Sequence, residues 1–462
     1  MTEQVEFRDG FPVEASAQAS FEVSDRRRAV EAYRFFYPTV SLEMILRGTR
    51  AIGASNAAAG IIVAGPVQVG FTLNSDTPYL GAGLDLRESG PMVIELPPGP
   101  LVGLVDDHYH RWLVDLGLPG RNGPKGGRVL LLPPGHDGEP PAGSEGYEVV
   151  RCDTWQVLYA LRALPLNGDL EQAVELMRTV RIYPWDRRDD PPAFTFLRDD
   201  DMPMDTTPLA VEDNLEFWRV LHSVVDTEPA VDELRPMLGL LAELGIEAGR
   251  PFAPDERMAG ILTEAARRGR DEMLVSAFAS RRPDRMAWPD RAWEWVGLRP
   301  ENGTFERDGS LDVEAKDRWF AQAIVASPAM FRRGPGAGSL YWLGHRDASG
   351  GYLDGGRGYR LRVPLPVPYS LFWSVTAYDA RTRSEVATEQ NQAALRSLFE
   401  KLEPEGADHV DLYFGPEQPP GAEGRWIRTR PGHGWFAYFR VYGPEQAAFD
   451  GSWKPGDFEP LG

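Results

Sequence analysis

The sequence LVGLVDDHYHRWLVDLG, residues 101–117, belongs to the series of short β-favouring runs that decides the fold class. Gly- and Pro-rich stretches separate these runs at close intervals. The others are GIIVAGPVQVGFTL (60–73), PMVIELP (91–97), GRVLLLPP (127–134) and GYEVVRCD (146–153). Short strands with turn signals between them predict an antiparallel sandwich or barrel in the N-terminal part.

A second series of β-favouring runs fills residues 337–443. It comprises GSLYWLGHRD, YRLRVPLP, YSLFWSVTAYD, HVDLYFG, GRWIRTR and GWFAYFRVYG. The segment QNQAALRSLFEKLE, residues 390–403, has the composition of a short helix between strands. The C-terminal part is therefore predicted to form a second antiparallel β unit.

Helical spacing of apolar residues dominates the remaining segments. Residues 24–48 have this spacing, and Pro38 is expected to break or kink the helix there. Most of residues 152–332 also read as helical, with Gly245 as a helix end and Asp255 near a helix start. VEAKDRWFAQAIVAS (313–327) is predicted to be the last long helix.

The predicted fold class is α+β, with two antiparallel sandwich or jelly-roll units joined by a helical middle segment. The predicted divisions are an N-terminal arm (1–23), a domain of helices then strands (24–185), a helical connecting segment (186–332) and a β-rich domain (333–462). A chain of 462 residues has the length of two or three domains.

Charge and composition exclude several classes of function. The formal net charge of −20 repels nucleic acid and anionic membranes. The single cysteine, Cys152, allows no internal disulfide. The first residues lack the features of a secretory signal, and no apolar stretch approaches the length of a membrane span. A cytoplasmic protein without nucleic-acid or membrane partners is expected, and a homo-oligomer is compatible with this composition.

Several long motifs carry a resemblance to a known family. They are NSDTPYLGAGLDLRESGPMVIELPPG, VDDHYHRWLVDLGLPGRNGPKGGRVLLLPPGHDG, LGLLAELGIEAGRPFAPDERM, GSLYWLGHRDASGGYLDGG, VPYSLFWSVTAYDARTRS and RWIRTRPGHGWFAYFRVYGP. Together they resemble the two-domain proteins that join domain of unknown function 1254 to domain of unknown function 1214. The resemblance spans roughly residues 30–460 and implies the architecture, but no reaction.

The chain departs from the family pattern at two places. Where the family usually shows G-P-D-x-G, this chain has Gly120, Arg121, Asn122 and Gly123, so a carboxylate of that turn is absent. In addition, His108 and His110 stand where aromatic or aliphatic residues are typical. These histidines are therefore candidates for a feature that is particular to this protein.

The first candidate site is the N-x-D-T-x-Y segment. Asn74 and Asp76 can bond their own backbone in a turn, and Tyr79 is then held at the mouth of a strand. A phenol in that position can donate to a ligand oxygen. The alternative is a structural turn followed by a core tyrosine.

The second candidate site is Asp107, Arg111 and Asp115, whose spacing of four places them on one face of a helix or strand. Arg111 between two acids would form a bidentate ion-pair network. Such a network is either a buried structural salt bridge or the polar floor of a pocket, in which one carboxylate acts as a base.

The third candidate is a metal site. If VDDHYHRW is a strand, Asp106, His108 and His110 project from the same face, and two imidazoles with a carboxylate can bind a divalent metal. No fourth ligand is apparent and solvated strands also carry His-x-His, so no cofactor is favoured and a divalent metal remains the less favoured alternative.

The fourth candidate is a cluster of C-terminal aromatic and arginine residues, a combination suited to planar or anionic groups. Its members are Tyr341, Trp373, Tyr378, Arg381, Arg383, Trp426, Arg428, Trp435 and Arg440. The alternative is a sandwich core in which the arginines pair with acids.

The function expected from these residues is a small-molecule enzyme of hydrolytic or cofactor-free acid–base type, acting in a cleft between the two β-rich domains. Asp107 or Asp76 is the expected base, Tyr79 the acid, and Arg111 or Arg381 the group that stabilises charge. The residues expected to bind the substrate are Asn74, Asp115, Tyr341, Trp373, Tyr378, Arg381, Arg383 and Trp426. The alternatives are a non-catalytic carbohydrate or aromatic-molecule binding protein and a metal-dependent enzyme.

Overall fold

The computed structural model describes residues 5–136, 138–298, 303–323, 325–336 and 338–462, and these form two β-sandwiches connected by a layer of helices. Residues 1–4 of the predicted arm and residues 299–302 and 324 of the predicted connecting segment lie outside the described residues. None of the helices in the described ranges is both long and apolar enough to cross a membrane.

The described helices are α1 Glu14–Ala51, α2 Leu86–Ser89, α3 Leu170–Met177, α4 Glu216–Thr227, α5 Arg235–Glu243, α6 Glu256–Phe278 and α7 Val313–Phe320. The Asp255 carboxylate caps α6 by accepting the Met258 N–H at 2.7 Å, as the sequence predicted for this helix start. Helices α1, α4, α5, α6 and α7 pack together around one apolar core.

Helix α1 contains 38 residues, which corresponds to about 57 Å. The structure differs from the sequence expectation in two ways: the helix begins at Glu14 instead of near residue 24, and it does not break at Pro38. Buried residues on both sides, such as Tyr37 and Val40, anchor the helix by packing, and this compensates for the missing N–H of Pro38.

The N-terminal strands are β1 Phe7–Arg8, β2 Phe11–Pro12, β3 Ala58–Val63, β4 Gln68–Val69, β5 Pro78–Asp85, β6 Met92–Leu96, β7 Leu101–Asp107, β8 Trp112–Gly117, β9 Gly127–Leu132, β10 Glu148–Arg151, β11 Gln156–Ala163, β12 Arg181–Pro184, β13 Thr195–Arg198 and β14 Met204–Asp205. A six-stranded sheet, β13-β3-β5-β11-β7-β8, packs on a four-stranded sheet, β10-β9-β6-β12. Burial alternates along β5, so Leu80, Ala82 and Leu84 face the core and Tyr79 and Gly81 face α1.

The C-terminal strands are β15 Glu294–Trp295, β16 Glu306–Arg307, β17 Ser310–Leu311, β18 Ser339–Gly344, β19 Tyr359–Pro364, β20 Tyr369–Asp379, β21 Ala394–Arg396, β22 His409–Gly415, β23 Trp426–Arg428, β24 Trp435–Pro444 and β25 Phe458–Pro460. A five-stranded sheet, β15-β18-β24-β20-β21, packs on a four-stranded sheet, β23-β22-β19-β25. Trp342, Trp373 and Phe439 fill the core between them.

The predicted α+β class is confirmed, and both β units are open two-sheet sandwiches in which most strand pairs are antiparallel. Two element predictions were wrong. Residues 152–332 are less helical than expected, because β11 is a central strand of the N-terminal sheet and α7 ends at Phe320. Residues 394–396 form strand β21 instead of a helix, because Ala394 pairs with Thr376 at the edge of the sheet.

One buried ion pair joins the two sandwiches through the helical layer. Arg383, in the loop after β20, donates to a carboxylate oxygen of Glu212 at 2.6 Å, and the Tyr37 hydroxyl of α1 donates to the same oxygen at 2.7 Å. The Arg383 guanidinium also lies 4.2 Å from the centre of the Phe71 ring. Both charged side chains are almost completely buried.

Glu212→Gln should lower the free energy of unfolding by about 3–5 kcal/mol, because it leaves the Arg383 cation buried without a carboxylate. Chemical denaturation measures this change. The matched control is Glu216→Gln, which removes an exposed ion pair with Arg219 and should change stability by less than about 0.5 kcal/mol. Equal small effects of the two substitutions would contradict the proposed importance of the buried pair.

Candidate functional site

The N-S-D-T-P-Y segment, residues 74–79, lies at the seam between the two sandwiches. Here the seam means the layer of polar side chains that residues 72–79 and β11 share with β20 and β24. The Asn74 side-chain oxygen accepts the Asp76 N–H at 3.1 Å, so the predicted turn is present. The loop before it also docks on the C-terminal domain, since the Thr72 N–H donates to the Arg383 carbonyl at 2.8 Å.

Asp76 is fully buried in this seam. Its Oδ2 atom accepts hydrogen bonds from two C-terminal hydroxyls, Ser374 at 2.7 Å and Tyr442 at 2.8 Å. Its Oδ1 atom has no hydrogen-bond partner among the described residues. A buried carboxylate oxygen without a partner is costly in a folded protein, which makes it a candidate for interaction with a ligand.

Arg162 of β11 connects the same groups. Its Nε donates to the Thr77 hydroxyl at 2.7 Å, and its Nη2 donates to Asn74 Oδ1 at 3.1 Å and to the Tyr442 hydroxyl at 2.9 Å. Its guanidinium carbon lies 5.1 Å from the centre of the Tyr79 ring. Arg162 forms no ion pair with any carboxylate of the described residues, although it is only partly exposed.

Arg440 of β24 is a second seam cation of this kind. It donates to the Thr376 hydroxyl at 3.0 Å, to the Tyr378 hydroxyl at 2.7 Å and to the Thr72 carbonyl at 3.1 Å. The Tyr378 hydroxyl in turn donates to the Leu73 carbonyl at 2.8 Å. Within the described ranges no carboxylate forms an ion pair with Arg440, which is 2% exposed.

Burial raises the pKa of both Tyr79 and Glu385, which favours their protonated forms at neutral pH. Burial raises the pKa of Tyr79, against the lowering effect of Arg162. The Tyr79 hydroxyl accepts the Asn74 N–H at 3.3 Å, so its own proton remains available to donate. Burial and then the neighbouring Asp76 carboxylate raise the pKa of Glu385 to about 8, although Arg396 and Arg440 lower it.

A cavity of about 80 Å³ adjoins the seam between α1 and the outer face of the N-terminal sheet. Tyr79 lines it, and most of the other lining residues are apolar: Ile45, Ile52, Gly60, Ile62, Leu73, Leu80, Gly81, Leu158, Ala160, Met204 and Val325, with Thr49 and Thr206. Tyr79 pairs with Arg162 and Gly81 pairs with Ala160 across β5 and β11. The four side-chain positions share one sheet face, so the apolar cavity leads to Tyr79 and Arg162.

Asp107 and Arg111 do not belong to this site. Tyr79 pairs with Arg162, which pairs with Val102 on β7, and Asp107 lies five residues further along that strand. Tyr79 and Asp107 are two strands apart across the sheet and five residues apart along it, so about 19 Å separates them. The single pocket expected to hold both residues is therefore absent.

The second candidate site is an ion-pair network near the surface. Arg111 bonds Asp107 at 2.8 Å, Asp153 at 2.7 Å and Glu233 at 2.9 Å. Asp115 was expected in this network but pairs across the strands with Leu104, away from Arg111. The structural interpretation of Asp107 and Arg111 fits this geometry.

The structure does not bring Asp106, His108 and His110 together as one ligand set, since His108 and His110 have different partners. Strand β7 ends at Asp107, and His110 has a φ of +64°, so the three side chains do not share a strand face. Among the residues the structure describes, no group of three or more His, Cys, Asp or Glu side chains is placed to hold a metal ion. His110 lies 3.6 Å from Asp106 and donates through Nδ1 to the Pro38 carbonyl at 2.8 Å.

His108 is buried between two carboxylates. Its Nδ1 lies 2.7 Å from Glu228 of the α4 end, and its Nε2 lies 3.1 Å from Glu43 of α1. Burial lowers the pKa of His108, but the hydrogen bonds to Glu228 and Glu43 raise it above its ordinary value. Since both partners are acceptors, the imidazole is held as a cation that ties two helices to the N-terminal sandwich.

The C-terminal candidates separate into two groups. Tyr341, Tyr378 and Arg383 lie at or beside the seam. Trp373 is a core residue that stacks on Phe439, and Trp426 is buried with its indole N–H on the Gly415 carbonyl. Arg381 is exposed and reaches only the Gly432 carbonyl. Trp373, Trp426 and Arg381 do not form the expected ligand-binding surface, because both indole side chains are buried by packing and Arg381 lies apart from them in solvent.

The main seam residues that the sequence did not single out are Arg162, Glu385, Ser374 and Tyr442. Arg162 carries a detectable signal, because it is a lone cation in the apolar strand VLYALRALP. No sequence pattern marks Glu385, Ser374 or Tyr442, because their role depends on contacts with segments that are far away in the sequence. The structure thus brings Asn74, Asp76 and Tyr79 close to Tyr378 of the other domain.

The fold and the seam define a two-domain α+β protein with a polar layer between two sandwiches. Residues 64–184 match the family model described as Protein of unknown function (DUF1254), and residues 338–446 match the model described as Protein of unknown function (DUF1214). The chain therefore carries a segment that matches DUF1254 followed by a segment that matches DUF1214, which is the expected pairing and order.

Two solved structures are similar to this chain. The VPA0106 protein from Vibrio parahaemolyticus is 17% identical, with a TM-score of 0.58 over 95% of this chain and 100% of that chain. An uncharacterized protein from Burkholderia cenocepacia is 14% identical, with a TM-score of 0.41 over 97% of each chain. The first likeness concerns the fold alone. No curated protein matches the sequence.

His108→Gln should lower the free energy of unfolding at pH 6 by about 3–5 kcal/mol, because Glu43 and Glu228 lose their shared cation. The pKa of His108 is raised in the folded state, so its contribution is complete below the ordinary value of about 6.5 and is lost as the pH rises through the folded value. Thermal unfolding from pH 5 to pH 9 measures this loss.

The difference in melting temperature between the wild type and His108→Gln should therefore shrink with rising pH. His409→Gln is the matched control, since His409 is exposed beside Asp408. A difference for His108→Gln that stays constant across the range would show that the imidazole is not held as a cation.

Proposed function

We propose that this protein is a small-molecule enzyme of hydrolytic or cofactor-free acid–base type whose active site is the seam. The observation that carries the proposal is the convergence of Asp76 and Tyr79 of one domain with Arg440 and Tyr442 of the other, beside an apolar cavity. Sites of this kind commonly lie where two domains meet and combine apolar walls with a few polar groups.

Each polar group has a role that its environment supports. Asp76 is the base, because its Oδ1 atom has no hydrogen-bond partner among the described residues. Tyr79 is the acid, because burial raises its pKa and its proton is free to donate. Arg162 stabilises negative charge on the substrate, in the place expected for Arg111 or Arg381.

The substrate reaches these groups along the cavity floor, which Gly81 and Ala160 form. Asp76 is fully buried and does not line the cavity, so the substrate approaches it from the Tyr79 end. Tyr442 bonds both Asp76 and Arg162, and it holds the base and the cation in fixed relation.

A non-catalytic binding protein is the second candidate, because the enclosed position of Asp76 and the apolar cavity also suit a bound ligand that is not transformed. Turnover distinguishes the two. A compound that raises the melting temperature of the wild type, and is recovered unchanged after long incubation, favours the binding protein.

Incubation of the purified wild type with a cell metabolite extract, followed by mass spectrometry, should reveal at least one compound that is consumed. Asp76→Asn should slow this consumption by about 100-fold to 10,000-fold, and Tyr79→Phe by about 100-fold, because each removes a proton-transfer group. Circular dichroism establishes that both variants fold.

Arg381→Ala is the matched control, since Arg381 is exposed and lies outside the seam. It should leave the rate unchanged. Wild-type rates in folded Asp76→Asn and Tyr79→Phe would contradict the assignment of the active site.

A further inference from the structure

We propose that the seam takes a small monocarboxylate, with its apolar chain in the cavity over Gly81 and Ala160 and its carboxylate against Arg162 and Tyr79. This inference rests on the proposed function, because it concerns the substrate of the same site. It names the chemical class of the ligand from the charge balance and the shape of the seam.

The seam carries a surplus positive charge in a protein whose formal net charge is −20. Arg162 and Arg440 are its cations, and neither forms an ion pair with a described carboxylate. Asp76 is one acidic side chain beside them, and burial raises the pKa of the other, Glu385, to about 8, which favours its neutral form. Arg396 is nearby but is already paired with Glu400 at 2.6 Å.

A cation that is largely removed from water and has no counterion is costly, so Arg440 and the partly exposed Arg162 favour a ligand that supplies negative charge. One surplus charge matches a monoanion better than a phosphate dianion. The Nη1 atom of Arg162 makes no hydrogen bond with the described residues, while Nε and Nη2 are occupied. The Tyr79 hydroxyl supplies a second donor to the same oxygen group.

The cavity determines the other end of the ligand. Leu158, Ala160 and Arg162 follow one another on the same face of β11, and Gly81 and Tyr79 do so on β5. A chain lying along this face therefore passes from apolar contacts to the charged pair. A volume of about 80 Å³ has room for roughly five groups the size of water, which suits a chain of a few carbons.

Calorimetric titration of the full chain with straight-chain carboxylates from propionate to octanoate tests this inference. Affinity should rise about fourfold with each added methylene until the cavity is filled, and then fall. The uncharged amide and the amine of the same chain length should bind at least tenfold more weakly. Arg162→Gln should weaken binding of the best carboxylate at least tenfold, whereas Arg381→Gln should leave it unchanged.

Ala160→Val supplies a second variant that retains the charge. The larger side chain narrows the cavity, so the carboxylate that binds most tightly should be shorter by one or two carbons. Equal affinities for carboxylate, amide and amine on the wild type would overturn the inference, as would carboxylate binding that Arg162→Gln and Ala160→Val both leave unchanged. Absence of binding for every carboxylate at millimolar concentration would also overturn it.

These outcomes are distinguishable from failure of the proposed function. If neutral compounds are consumed in an Asp76-dependent reaction, the enzyme assignment stands and the carboxylate class is wrong. If a carboxylate binds through Arg162 and no reaction depends on Asp76 or Tyr79, the ligand class stands and the enzyme assignment is wrong.

Discussion

The rest of the structure depends on the contacts that the buried Arg383 guanidinium makes. It comes from the C-terminal domain, bonds Glu212 in the helical layer, lies beside Tyr37 of α1 and packs on the Phe71 ring of the N-terminal domain. All three partners are buried, so water cannot replace any of them without cost. Through the Phe71 ring and the Thr72 N–H, Arg383 holds the loop before Asn74 against the loop after β20, next to the seam.

The sequence predicted the two sandwiches better than it predicted individual elements at their edges and between them. Alternating apolar runs were sufficient for both sandwiches, because one face of each sheet must be buried. They were insufficient for residues 394–396, where a helical composition forms the edge strand β21 through pairing with Thr376. The predicted break at Pro38 is also absent, because packing around α1 outweighs the hydrogen bond that Pro38 cannot donate.

The candidate site was only half predictable, for a physical reason. Asn74, Asp76 and Tyr79 lie in one short motif, so their proximity follows from the turn itself. Ser374 and Tyr442 meet Asp76 from positions 298 and 366 residues further along the chain, and no local pattern encodes such contacts. Asp107 was grouped with Tyr79 because both are conspicuous polar residues, but strand register separates them.

The long sequence separation within the seam has a consequence for biosynthesis. Asp76 leaves the ribosome with its motif complete, yet its two hydroxyl partners are made 298 and 366 residues later. At cellular synthesis rates that interval is on the order of 15–70 s. During it water hydrates the Asp76 carboxylate in place of the two hydroxyls. The seam can therefore close only after almost the whole chain has been synthesised.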